Sequence, residues 1–415
     1  MAFKRVFIFL AVLILIPIVT YIAIRFARGE RINPETKTLT PTGLLVASSI
    51  PDGAPVYLDG KLKTATDDTV NLTPGDYDVE IKKDGFHPWK KKLSIEKELV
   101  IKTDAYLFST FPSLKSLTYT GAANPVISPD SQKIAFSVAT ASASKPGLWM
   151  LELADRPLGL SREPRQILES APRGRDFSQS SYRWSPDSKQ LMITLKNRPG
   201  KTQGTTATEN FIIESDRLNE TTDLIDVTPN LDTILDQWDK ERILRKNEQI
   251  SKLPKKLLEV IKETTVDIEF APNEKKILYT ATASATIPEK LLASLPASNS
   301  QPENRRIEPG KIYIYDLIED KNFYLIDEKD ILNTKLQIPN SASKALSWFP
   351  TSQHLFFVRE NKVTIFEYDN TNWTDVYTGP FVNGFAFPFP SGDRILILAS
   401  LGENQPPNLY AVSLR

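Results

Sequence analysis

At 415 residues with 40% hydrophobic side chains, the chain exceeds one ordinary domain and has material for a sizeable core. Its 51 Lys and Arg balance 51 Asp and Glu, so it lacks the net basic field of a nucleic-acid binder, and no nucleic-acid partner is expected. The lack of cysteine excludes thiol catalysis, thiolate metal sites, disulfides and a lipidated N-terminal cysteine. The two histidines, His87 and His354, fall in different predicted domains, which argues against histidine-based acid–base or metal chemistry.

Residues 6–24 (VFIFLAVLILIPIVTYIAI) carry no charge. At 1.5 Å per residue they reach roughly 28 Å, close to a hydrocarbon core of about 30 Å. The segment shows no polar face, and Pro17 is tolerable in a membrane helix. The expectation is a five-residue cytoplasmic stub (1–5), a transmembrane helix (6–26) and a single-pass membrane location. The competing reading is a cleaved signal peptide, disfavoured because Arg25-Phe26-Ala27-Arg28 lacks a small-x-small cleavage site. Lys4 and Arg5 precede the span and Arg25, Arg28 and Arg31 follow it, so flanking charge does not orient it. The folded mass lies C-terminal and is expected outside the cytoplasm; a cytoplasmic propeller is the alternative.

A polar linker with Pro34 and Pro41 (27–42) leads to a region of alternating strands, 43–110. Val56, Tyr57 and Leu58 run into Asp59-Gly60, a tight-hairpin signal. Pro74-Gly75-Asp76 and Asp84-Gly85 make further turns, and between them Tyr77, Val79 and Ile81 alternate with Asp78, Glu80 and Lys82. The pattern predicts a small antiparallel β-sandwich. The runs Ser49-Ile50-Pro51-Asp52-Gly53-Ala54-Pro55-Val56-Tyr57-Leu58-Asp59-Gly60, Leu72-Thr73-Pro74-Gly75-Asp76-Tyr77-Asp78-Val79 and Lys83-Asp84-Gly85-Phe86, with Trp89, resemble the PEGA family. That resemblance implies an accessory, non-catalytic module of bacterial or archaeal envelope proteins. Where the family has a Gly–Thr–Pro turn this chain has Ala65-Thr66-Asp67-Asp68, which leaves the local turn open. Lys90-Lys91-Lys92 reads as a solvated strand edge, an anionic wall polymer being the alternative contact.

Residues 111–415 contain a repeat. Val126-Ile127-Ser128-Pro129-Asp130-Ser131, followed by a second apolar strand, recurs around Ser185-Pro186-Asp187-Ser188, Ala271-Pro272-Asn273, Phe349-Pro350-Thr351 and Phe389-Pro390-Ser391. Third strands follow each copy and fourth strands most, which makes each repeat a propeller blade. The turn prolines are 57, 86, 78 and 40 residues apart, so the longer intervals hold insertions. Five blades are expected, with six open. Ser116 to Thr120 is the candidate fourth strand of the last blade, closing the ring with both ends of the region. The repeats resemble TolB-type, WD-like bacterial propellers marked by Ser-Pro-Asp-Gly. Ser131 and Ser188 replace the glycine, and Pro390-Ser391-Gly392 is read as carrying it one step late.

The long connections fall at 139–146, 196–209 and 281–309 within blades and at 169–181 and 229–263 between them. These are expected to share the face opposite the Pro turns, which marks that face for partner binding. Candidate binding residues there are Arg173, Arg175, Trp238, Arg305 and Arg306. Segment 229–263 is helical: Leu231, Ile234, Leu235 and Trp238 form one stripe, and Leu253, Leu257, Leu258 and Ile261 another. The expectation is a helical hairpin over the propeller mouth, with Trp238 packed inside rather than offered to a partner. Gly200-Lys201-Thr202 mimics a phosphate loop but has Leu195 where the first glycine belongs. No catalytic motif, metal set or cofactor fingerprint emerges. The functional expectation is a non-enzymatic, membrane-anchored binding or scaffold protein whose partner is an envelope protein or glycan. The alternative is a propeller glycoside hydrolase with paired carboxylates.

Overall fold

The computed structural model describes every residue except 1, 28–29, 33–38, 140–144, 155–162, 171–175, 178–179, 200–205, 223, 294, 296–298, 333–343 and 403–404. The chain is mainly β and divides into two compact units, Met1–Leu107 with Ala293–Pro302, and Phe108–Leu292 with Glu303–Arg415.

The first unit opens with helix α1 (Ala2–Ala27), of which Phe7–Ala27 has a mean hydropathy of 2.9 and is long and apolar enough to cross a membrane. From Phe7 to Phe26 its large apolar side chains are exposed, and none of the described residues buries them. Two short strands, Arg31–Ile32 and Leu39–Thr40, pair antiparallel in what sequence reads as plain linker.

The sandwich has a three-stranded sheet (Val100–Lys102, Gly43–Ala47, Asp68–Leu72) and a four-stranded one (Lys61–Ala65, Pro55–Leu58, Gly75–Ile81, Trp89–Ile95). Alternating residues Leu45, Val56, Val79, Ile81, Trp89, Leu93 and Ile95 form a common core. Asp59 and Gly60 both take the left-handed φ that a tight hairpin demands. The sandwich is not wholly antiparallel: Val100–Lys102 runs parallel to Gly43–Ala47, and Ala105–Tyr106 parallel to Ser49–Ile50. Alternation gives the buried face of a strand but not the direction of its partner, which is why sequence missed this. The open turn is pinned by buried Thr66, whose Oγ1 lies 2.6 Å from Ser49 Oγ and accepts the Ala54 N–H at 2.9 Å. Ser300 Oγ and Gln301 Nε2 donate to the Lys92 carbonyl at 2.9 and 2.8 Å, so the last residue of the lysine run lies on an occupied edge strand.

The second unit is a β-propeller. Among the described residues it holds five four-stranded antiparallel sheets, each built from strands consecutive along the chain except the third, whose insertion carries a small two-stranded pair (Ala285–Thr286 with Arg306–Ile307), and the last. The first is Ala123–Ile127, Lys133–Val138, Gly147–Glu152 and Arg165–Glu169, and the second Ser181–Trp184, Gln190–Pro199, Thr206–Glu214 and Ile225–Asp226. The third is Thr265–Phe270, Lys276–Ala281, Lys311–Asp316 and Lys321–Asp327, and the fourth Leu346–Trp348, His354–Arg359, Lys362–Glu367 and Thr374–Thr378. The fifth joins Ala386–Pro388, Arg394–Ala399 and Asn408–Ser413 to Leu114–Ser116, from before the first repeat. This closing strand begins two residues earlier than the spacing suggests. Thr118 is instead spent on capping: its Oγ1 donates to Asn408 Oδ1 and accepts the Leu409 N–H, both at 2.9 Å.

The Pro turns share one geometry. In the first two, the serine hydroxyl (Ser128, Ser185) accepts the N–H five residues on, and the Asp carboxylate accepts the N–H two residues on. The residue two after each proline has positive φ: Ser131, Ser188, Glu274, Ser352 and Gly392. Gly392 is therefore in register with the other four, which corrects the reading that it falls one step late.

Neighbouring sheets are fastened at these turns. The Asp130 N–H donates to Ser188 Oγ at 3.1 Å, and Trp184 Nε1–H donates to the Val126 carbonyl at 3.1 Å, tying the second sheet to the first. The same pair recurs between third and fourth sheets, Asn273 N–H to Ser352 Oγ at 3.1 Å and Trp348 Nε1–H to the Glu269 carbonyl at 3.3 Å. Shared hydrophobic clusters join the fifth sheet to the first, the first to the second and the third to the fourth.

Between the second and third sheets the helical insertion takes over. Helix α2 (Leu231–Ser251) places Leu231, Ile234, Leu235 and Trp238 against Met192, Ile212 and Val227 of the second sheet and its exit. Helix α3 (Lys255–Thr264) places Leu257 and Ile261 against Ile277, Tyr279 and Tyr313 of the third. The hairpin is thus packed into the seam between two sheets, not laid over the mouth as its sequence suggested. Two stripes on successive helices show that both need covering, but not that two different sheets do the covering.

Candidate functional site: the mouth at the proline turns

All five Pro turns converge on one cavity of about 880 Å³, within the range of ligand-binding clefts. Pro129, Pro186, Pro272, Pro350, Pro388 and Pro390 line it, with Phe270, Trp348 and Phe387. The repeat explains the lining: apart from Pro388, which ends the first strand of the fifth sheet, each proline sits at the turn joining the first two strands of a sheet, so a ring of sheets makes a ring of prolines. A second cavity of about 260 Å³ shares Pro129, Ser131, Arg242 and Phe387 with it and adds Tyr182, Arg183 and Trp184.

One wall differs. Arg242, Arg245, Lys246 and Gln249 face the cavity from α2 at three- and four-residue spacing, forming one polar stripe. Arg245 donates to the Pro186 carbonyl at 3.1 Å and to Glu241 at 2.6 Å. Arg242 pairs with Asp239, which Arg183 also contacts at 2.9 Å. The Arg242 bond, with the charge of both arginines, holds the Asp239 carboxyl below the usual carboxylate range. Gln249 donates to Glu274 at 2.9 Å and Lys252 lies 3.4 Å from it; together they lower the Glu274 carboxyl likewise. Glu274 is the turn residue that in the other fastened sheets would reach the preceding turn, and here it reaches the helix instead.

Three carboxylates face the mouth and each is engaged. Asp130 accepts from Ser128 and from the Gln132 N–H, Glu269 is paired with Lys344, and Glu274 is held by α2. No group of His, Asp and Glu that could hold a metal ion occurs among the described residues.

The residues singled out from sequence do not assemble into one site. Trp238 is buried against the second sheet. Arg305 is tied to Glu303 at 3.1 Å, to the Pro288 carbonyl at 2.6 Å and to Asp320, which Tyr315 also contacts; its role is to hold the 281–309 insertion to the third sheet. Arg306 is exposed on a two-residue strand opposite Thr286. Arg173 and Arg175 lie outside the described residues. The cavity opens on the end carrying the short turns, and α2 of the 229–263 insertion lines it there, which corrects the expectation that this insertion lies on the opposite face. The brevity of the Pro turns leaves the mouth open. Five prolines in register were the available signal.

Residues 42–109 match the PEGA domain family. No curated protein sequence matches the chain. Among solved structures the chain is similar to TolB from Acinetobacter baumannii (13% identity, TM-score 0.21, 87% of this chain and 63% of that one), so it spans less than two thirds of that protein. It is also similar to Kuenenia stuttgartiensis hydrazine synthase (13% identity, TM-score 0.18, 89% and 95%). Oligogalacturonate lyase from Vibrio parahaemolyticus gives 8% identity and a TM-score of 0.24, over 82% and 86%. At these scores the fold rests on this chain's own strand order, and its sandwich is a PEGA domain.

Proposed function

We propose that this chain is a membrane-anchored, extracytoplasmic binding protein that receives a segment of an envelope partner in the mouth of its propeller and performs no catalysis. The carrying observation is the convergence of five Pro turns and the polar stripe of α2 on one cavity. A cleft with mostly apolar walls and a few polar groups on one side suits recognition of a side chain or short segment. The outward-facing apolar helix α1 supports anchoring, and the PEGA domain supports an extracytoplasmic position. The mouth carboxylates are spent on turn and helix contacts, which favours binding over acid–base work.

The test is capture of envelope extracts on the detergent-solubilised chain and on a variant with Pro272→Arg in the mouth. A partner retained by the first and lost by the second supports the proposal. Turnover of glycans or peptides, abolished by neutralising Asp130, Glu269 or Glu274, would replace it with the hydrolase reading.

A further inference from the structure

Resting on the mouth as the binding site, we infer that α2 makes it selective for an acidic, extended peptide segment with an apolar anchor side chain. The stripe and its surroundings hold four cations, Arg183, Arg242, Arg245 and Lys246, against two carboxylates, Asp239 and Glu241. Asp239 is shared by two arginines, and Lys246 has no ion-pair partner among the described residues. The wall therefore keeps positive charge directed at the cavity. Glu269 and Glu274 do not cancel it, because Lys344 and Lys252 already neutralise them, and Asp130, held only by Ser128 and the Gln132 N–H, offsets one charge and leaves the wall with a net positive excess. A ligand carboxylate placed on this wall gains charge-assisted hydrogen bonds where the flanking prolines thin the water.

The remaining walls select the rest of the ligand. Pro129, Pro272, Pro350 and Pro390 with Phe270 and Phe387 offer apolar edges for a side chain. Trp348, the one indole of the mouth, is buried and donates its N–H to Glu269, so it offers no open ring for stacking a sugar. That favours a peptide over an anionic polysaccharide. The wall belongs to the inserted hairpin rather than to the repeat, so selectivity and scaffold are separate in the sequence.

A phage-displayed random dodecapeptide library panned on the full chain in detergent micelles tests this, with an anionic polysaccharide as competitor. The expected pool is rich in Asp and Glu beside a hydrophobic residue. Its members should bind Lys246→Glu at least about tenfold more weakly, with the loss deepening in the Arg242→Glu, Lys246→Glu double variant. Because the chain has no cysteine, Lys246→Cys can be modified alone with a polyethylene-glycol maleimide, and modification should abolish binding. Peptides that bind but ignore both charge reversals overturn the selectivity while leaving the mouth as the site. Peptides unaffected by the maleimide adduct, or no enrichment at all, overturn the mouth itself. Polysaccharide that displaces the peptides and outbinds them assigns the wall to a glycan. Lys246 is exposed, so unchanged thermal melting serves as the folding control.

Discussion

Replacing serine by glycine should stabilise the propeller at one of two equivalent turn positions and leave it nearly unchanged at the other. Ser131 and Ser188 both stand two residues after a turn proline, both with φ of 61°. A side chain in that region costs about 1–2 kcal/mol relative to glycine, and glycine returns about 0.4–1 kcal/mol of that through the freedom of the unfolded chain. Ser131→Gly should therefore stabilise the propeller by about 0.5–1 kcal/mol. Ser188→Gly gains the same amount but removes the hydroxyl that accepts the Asp130 N–H from the neighbouring sheet. That bond is part-buried and worth about 0.5–1.5 kcal/mol, so the net effect should lie near zero or slightly below. The difference between the two sites, about 1 kcal/mol, measures the fastening between sheets. For a unit of this size it corresponds to about 2–4 °C in the propeller transition, readable by scanning calorimetry of the full chain in detergent. Equal shifts at both sites would refute the fastening.

Four further outcomes follow from the same contacts. Trp238→Ala should cost about 3–5 kcal/mol and raise hydrogen exchange in 231–264 before the sheets, because its ring joins α2 to the second sheet; uniform loosening would contradict the seam. Asp316→Asn should cost about 3–5 kcal/mol in chemical denaturation, since it strands Lys276, which is buried with it at 3.3 Å; a neutral result would mean Lys276 reaches solvent. Thr66→Val should destabilise the PEGA domain by about 1–3 kcal/mol, leaving the buried Ala54 N–H without its acceptor and Ser49 with the Pro51 carbonyl as its remaining contact, while the propeller transition stays fixed. Alkaline-carbonate washing should leave the chain in the membrane and release a variant lacking α1; release of both would remove the anchor.

Local chemistry was legible wherever a pattern repeats. The Ser-Pro-Asp turns announce themselves because proline fixes φ and the Ser and Asp side chains close the loop on their own backbone, at 128–133 as at 185–190. The stripe Leu231, Ile234, Leu235 and Trp238 gave the helix and its buried face. What covers that face is a tertiary fact, and the hairpin proved to be a seam between sheets. The mouth was illegible for the same reason: Pro129 and Pro390 are 261 positions apart (390 less 129) yet line one cavity. Arg305 looked available because its partner Asp320 lies beyond the strand Lys311–Asp316.

The mouth exists only if the repeats close on themselves, and the pairing of Ser116 with Tyr410 is where they close. Directly opposed residues of an antiparallel pair lie about 4.5–5.5 Å apart at Cα, within reach of a disulfide. In this cysteine-free chain, Ser116→Cys with Tyr410→Cys should oxidise to a single intramolecular bond, giving a compact band on non-reducing gels and a higher melting temperature. Thiols that stay free, or that bond only between molecules while the chain remains folded, would contradict the closed ring and the mouth with it.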